Sequence, residues 1–128
     1  MKIFINGTFD ILHPGHIAMI NYAKTFGDTL NIAIDSDQRV KQLKGETRPI
    51  NTQQERANLL INLKAVDEVY IFDTDAELLE LIKKHNVMVK GSDYKDKPII
   101  GSDLIAIQFF DRINEYSTTK KIQDIINR

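Results

Sequence analysis

Residues 7–16 read Gly7-Thr8-Phe9-Asp10-Ile11-Leu12-His13-Pro14-Gly15-His16 and follow directly on the apolar run Ile3-Phe4-Ile5. A strand, a tight turn at Gly7 and a helix opening near Pro14 are the expected local structures. Proline suits the first helical turn because its missing N–H has no intrahelical partner there in any case. His13 and His16 lie three residues apart, so on that helix both rings share one face. The reading expects free backbone amides at the helix start and the paired imidazoles to converge on one small volume that attracts phosphate.

Outward from this stretch, apolar segments of strand length alternate with longer segments of helical period, the pattern of a parallel α/β sheet. Strands are expected at about 2–6, 30–34, 68–72, 87–89 and 105–110. The first helix, 14–26, carries Ile17, Ile20 and Ala23 on one stripe and ends at Gly27-Asp28, glycine being the usual helix stop. A short polar helix spans 36–43 and a loop 44–51. Thr52-Gln53-Gln54-Glu55 and Thr74-Asp75-Ala76-Glu77 are capping boxes opening helices to about 63 and 85, with stripes Leu59, Leu60, Leu63 and Leu78, Leu81, Ile82. A polar loop, 91–98, and a final helix, 117–126, with Ile122, Ile125 and Ile126 inward, complete the chain. In such sheets ligands lie beyond the carboxyl ends of the strands, where strand order reverses. The loops beginning at Gly7, Gly91 and Asp111 all follow strands.

Composition narrows the function classes. The 128 residues fit one domain, 1–128. With 17 Lys+Arg against 18 Asp+Glu the net charge is −1, no bulk field for nucleic acid or an anionic membrane. The chain has no cysteine, which excludes disulfides, thiolate metal sites and a cysteine nucleophile. No apolar stretch approaches the roughly 20 residues of a membrane span, and the opening apolar run is too short for a signal peptide. A soluble, cytoplasmic protein is expected.

The first segment is neither a G-x-x-x-x-G-K-[ST] loop nor G-x-G-x-x-G. His13 and His16 lack a third ligand at zinc-like spacing, and His85, beside Lys83 and Lys84, reads as helix-end surface favouring the macrodipole. From spacing alone the pair is equally a hydrogen-bonded structural feature or a ligand site. Gly7, Thr8 and Asp10 beside it tilt the reading toward a nucleotide. The ten residues resemble the G-T-F-D-x-x-H-x-G-H signature of the cytidylyltransferase-like nucleotidyltransferases. Further along, Lys44 to Pro49 resembles the family's lysine loop, Glu55-Arg56 with Leu59 and Leu60 its E-R-x-x-x-L helix, and Arg112 with Ser117-Thr118-Thr119 its C-terminal element.

That resemblance implies a Rossmann-like open parallel sheet of about five strands with helices on both faces. The implied reaction is attack by a phosphate monoester on the α-phosphorus of a nucleoside triphosphate with loss of pyrophosphate. His13, His16 and Lys44 are then catalytic, and Gly7, Thr8, Phe9, Arg56, Gly91, Asp93, Ser117 and Thr118 bind nucleotide. Arg48, Tyr94 and Arg112 bind the acceptor. Mg²⁺ is the implied cofactor, with Asp10 either helping to hold it or ordering the turn. Ser117 and Thr118 also suit a helix N-terminus, and Glu55 belongs to its capping box. A homodimer is implied, with no nucleic-acid or membrane partner.

Within the family, Lys90-Gly91-Ser92-Asp93-Tyr94, Lys44 to Asn51 and Ala65-Val66-Asp67 resemble the adenylyltransferases that make ADP-heptose from ATP and heptose 1-phosphate. The compact length and the spacing from Arg112 to Thr119 resemble the glycerol-3-phosphate cytidylyltransferases, which use CTP. The first is ranked ahead of the second; FAD synthetases and a nucleotide-binding module without turnover rank lower.

Overall fold

The computed structural model describes residues 1–111 and 118–126, with no side-chain description for 118–121. Its elements run β1 (Lys2–Gly7), α1 (Pro14–Lys24), β2 (Thr29–Asp35), α2 (Asp37–Lys44), α3 (Gln53–Ile61), β3 (Glu68–Phe72), α4 (Asp75–Ile82), β4 (Val87–Gly91), β5 (Ala106–Phe110) and α5 (Thr118–Ile126). A single 3-10 turn, Ser92–Tyr94, follows β4. The five strands form one sheet in the order β3-β2-β1-β4-β5, every pairing parallel. This is the expected Rossmann-like α/β arrangement, and strand order reverses between β1 and β4.

Because both faces of a parallel sheet are covered, its central strands are apolar throughout rather than alternating. Ile3 and Ile5 of β1 join Leu30, Ile32 and Ile34 of β2 in one cluster, closed by Ile20 and Ala23 of α1 and Leu60 of α3. Phe4, Ala33 and Met88 point to the opposite face, where Leu78 and Ile82 of α4 cover them. Both capping boxes form: Thr52 accepts from the Glu55 N–H and Thr74 from the Glu77 N–H, at 3.2 and 3.1 Å.

Several expected inward residues are placed otherwise. Ile17 is partly buried and lies in neither cluster; α1 turns Met19 and Tyr22 to the core, and Ile17 lines a shallow hollow with Leu12 and Ala18. In α3 the inward positions are Arg56 and Leu60, one helical turn apart, which leaves Leu59 46% exposed. Ile125 and Ile126 of α5 are 64% and 68% exposed, so an apolar face at helical spacing has not turned to the sheet.

His85 is the clearest departure from a surface reading. It is buried, its ring 4.8 Å from that of Phe4. Nδ1 lies 2.7 Å from the Leu81 carbonyl and Nε2 3.0 Å from Asn31 Nδ2, which fits Nδ1–H donating and Nε2 accepting. Burial holds the imidazole below its ordinary pKa, against the opposing effect of the Leu81 bond.

Candidate active site

A cavity of about 460 Å³ opens at the carboxyl ends of β1 and β4, at the reversal of strand order. It collects Gly7, Thr8, Phe9, His13, His16, Lys44, Gly91, Asp93 and Tyr94 from the expected site residues. Asp10, Arg48 and Arg56 stand behind its wall. Arg112 and Ser117 lie outside the described residues, and Thr118 is described only as the first residue of α5.

The histidine pair is built into the start of α1 as a capping box. His13 is the N-cap, in extended conformation, and its Nδ1 accepts from the Gly15 N–H at 3.2 Å. His16, three residues on, reaches back so that its Nδ1 accepts from the His13 N–H at 3.3 Å. The rings stack at 3.8 Å between centroids and 21° between planes. This corrects the expectation of free amides at the helix start. Pro14 has none, that of Gly15 is taken by an imidazole, and those of His16 and Ile17 point to the His13 carbonyl. With both δ nitrogens accepting, each neutral ring carries its proton on Nε2. The helix end is closed by the rings, so its first amides are not offered to the site.

The turn before the pair is tight. Phe9 adopts φ 51°, a left-handed conformation uncommon for a bulky residue. It turns the ring back over Gly7, where a Cβ would lie 3.1 Å from it, and sets it 5.0 Å from the His16 ring. A similar fit operates at the end of β4: a Cβ on Gly91 would fall 2.6 Å from Asp93 Oδ1, so glycine lets that carboxylate fold back over the strand end.

Arg56 fastens the loops around the site. Fully buried, it donates from Nε to the Asn51 carbonyl at 3.1 Å and from one terminal nitrogen to the Thr8 and Asp35 carbonyls at 2.9 and 2.8 Å. The other terminal nitrogen reaches Asp37 Oδ1 at 2.8 Å. It thereby ties the ends of β1 and β2 to the starts of α2 and α3 without entering the cavity. Thr8 adds a bond from its hydroxyl to Asp35 Oδ2 at 3.0 Å, and Arg39 holds the other oxygen of Asp35 at 3.2 Å.

Asp10 has a comparable structural task. Its carboxylate accepts from the N–H groups of Ile50 and Asn51, each at 2.8 Å, and pairs with Arg48 Nε at 3.3 Å. Those bonds anchor the loop after α2. A carboxylate so engaged, off the cavity wall, does not fit a metal ligand, and no group of three metal-ligating side chains exists among the described residues. Lys44, expected in the loop, is the exposed last residue of α2 at the cavity rim.

Lys90 was missed as a site residue, although its segment stood out. It lines the cavity, its Nζ 3.4 Å from the Asn6 carbonyl and 4.9 Å from the Tyr94 ring centroid. Burial pushes its pKa down to about 8, and Asp35 and Asp93 act against that fall. The available signal was a lysine within an apolar strand at a carboxyl end, a costly position for a charge.

The arrangement offers two stacked imidazoles on one wall, two lysines, and a glycine-lined strand end that admits a ligand closely. It suits a polyanion. Comparison with known proteins gives the same direction. Residues 4–125 match the cytidylyltransferase-like family. The chain is 44% identical over 128 residues to the bifunctional protein HldE of Aliarcobacter butzleri, covering 95% of this chain and 27% of that protein. The HldE proteins of Campylobacter concisus and Campylobacter jejuni are 46% and 47% identical, with 98% and 96% of this chain and 28% and 27% of theirs covered. The chain thus spans about a quarter of the length of these curated relatives. In fold it is similar to the lipopolysaccharide core biosynthesis protein from Thermoplasma volcanium, with a TM-score of 0.68 at 23% identity over 87% of this chain and 98% of that one. With its sequence matched from Phe4 almost to the end of α5, the chain belongs to the cytidylyltransferase-like family.

Proposed function

We propose that this chain transfers an adenylyl group from ATP to heptose 1-phosphate, forming ADP-heptose and pyrophosphate. The observation that carries this reading is the meeting of two segments in one cavity at the strand-order reversal. One is the stacked His13–His16 pair, and the other is Lys90 to Tyr94, which resembles the ADP-heptose-forming enzymes. Identity of 44–47% with HldE proteins over nearly the whole chain supports it.

In this reaction a phosphate oxygen of the acceptor bonds to the α-phosphorus while the bond to the bridging oxygen of pyrophosphate breaks. No protein nucleophile is required; the protein positions two anions and stabilises charge on the leaving group. His13 and His16 donate from Nε2 to the triphosphate, and Lys44 closes on it from the end of α2. Gly7, Gly91 and Phe9 shape the nucleotide bed, and Asp93 and Tyr94 face the ribose and the acceptor. Arg112, Ser117 and Thr118 keep the roles the resemblance implies. Arg48 and Arg56 act through the loops they hold. Mg²⁺ belongs here to the triphosphate it accompanies, since Asp10 is spent on the 48–51 loop. The reading includes a cytoplasmic homodimer.

Pyrophosphate release measured with ATP or CTP against heptose 1-phosphate or glycerol 3-phosphate tests this. Turnover confined to ATP with heptose 1-phosphate is expected, and turnover confined to CTP with glycerol 3-phosphate overturns it.

A further inference from the structure

Lys90 sits near the end of β4, beside Asn6 of the neighbouring strand β1. Among the described residues its only contact of hydrogen-bonding length is the 3.4 Å one to the Asn6 carbonyl, a weak bond for a buried ammonium. Burial lowers its proton affinity to about pH 8, while the carboxylates of Asp35 and Asp93 favour the charged form. A cation in such a place costs stability unless an anion meets it. A methionine of similar length fills the same volume, so packing alone does not call for a lysine.

Two phosphate-bearing substrates must meet in the proposed reaction, with the attacking oxygen entering opposite the departing pyrophosphate. Each needs its own cation. His13 and His16 stand at the start of α1 and Lys44 at the end of α2, whereas Lys90 belongs to β4, under the Tyr94 ring. Arg39, the other lining cation, is bound to Asp35 and to Asp75 at 3.2 and 2.7 Å.

We propose that Lys90 binds the phosphate monoester of the acceptor and so selects acceptors that carry one. The assignment rests on the nucleotidyl-transfer reading above. When the monoester enters, its oxygens give the ammonium the short partner that the Asn6 carbonyl does not, in a setting where water competes little. The charges of Asp35 and Asp93 favour the protonated lysine until then.

The test is calorimetric binding of heptose 1-phosphate, glycerol 3-phosphate and inorganic phosphate, each alone, with ATP titrated separately. The proteins are the wild type, Lys90→Met and Lys90→Arg, with Lys90→Gln, whose amide can still donate to the Asn6 carbonyl, standing in if the methionine variant does not fold. The expected result is a monoester affinity lowered about ten-fold or more in the neutral variants and partly rescued by arginine, with ATP affinity within about two-fold of wild type. Unchanged monoester binding, an equal loss of ATP, or a wild type that binds no monoester overturns the assignment. A wild type that binds a monoester through Lys90 yet does not adenylylate it counts against the proposed reaction and leaves Lys90 in place.

Discussion

His16 Nδ1 accepts a hydrogen bond from the backbone N–H of His13 at 3.3 Å while the two rings lie stacked 3.8 Å apart. One residue therefore both caps the helix and lines the cavity. Nitrogen NMR at neutral pH should find both rings, in their neutral form, protonated on Nε2. His16→Gln separates the two tasks, because glutamine at this position can complete a capping box. Its stability should stay within about 0.5 kcal/mol of wild type while turnover falls about 100- to 1,000-fold. His16→Ala should lose turnover and about 1 kcal/mol as well. Full activity in either variant removes His16 from the chemistry.

Arg56 is predicted to act on stability first. Methionine in its place leaves the Asp37 carboxylate and the Thr8, Asp35 and Asn51 carbonyls without their donor. Urea unfolding should register a loss of about 3–5 kcal/mol, the range for breaking a buried ion pair from one side. A variant as stable as wild type that binds ATP poorly would instead put Arg56 on the nucleotide.

Asp10 separates loop anchoring from metal binding. Asp10→Asn should raise the KM for ATP and speed proteolysis between residues 45 and 51, because fewer acceptors hold the Ile50 and Asn51 amides. The Mg²⁺ concentration giving half-maximal rate should stay within about two-fold, whereas loss of a ligand raises it about ten-fold or more. The larger shift would return Asp10 to the metal.

His85 gives the domain an acid-sensitive stability. Burial holds its folded pKa below 6.5, so the unfolded chain takes up a proton first as pH falls. Its contribution is fully present above about pH 6.5 and is lost as pH falls from there through the folded value. The wild-type melting temperature should drop between pH 7 and pH 5.5, and His85→Gln should flatten that slope. Equal slopes would assign the acid sensitivity to other groups.

The order of elements was legible because each signal was local. Apolar runs of strand length and two capping boxes needed no tertiary information, although the tight turn expected at Gly7 comes at Phe9, with Gly7 still paired in β1. What escaped were positions decided by the far side of the fold. Arg56 reads as a nucleotide contact, with nothing local to tell that the carbonyls of Thr8 and Asp35 gather around it, and His85 reads as surface until Asn31 and Phe4 are placed beside it. Asp10 was legible only as two alternatives, since its partners lie 40 and 41 residues away in sequence. At the histidine pair the spacing gave the shared face, but not that the rings would consume the helix-start amides they were expected to supplement.

The proposed activity is transfer of an adenylyl group onto a sugar phosphate by this chain alone. It is tested most directly by incubating the purified protein with α-³²P-labelled ATP and heptose 1-phosphate and identifying the labelled product by mass and chromatography. Label is expected in ADP-heptose in one-to-one proportion with pyrophosphate, forming about 100- to 1,000-fold more slowly in His16→Gln. Label that remains in ATP while α-labelled CTP is consumed with glycerol 3-phosphate would contradict it.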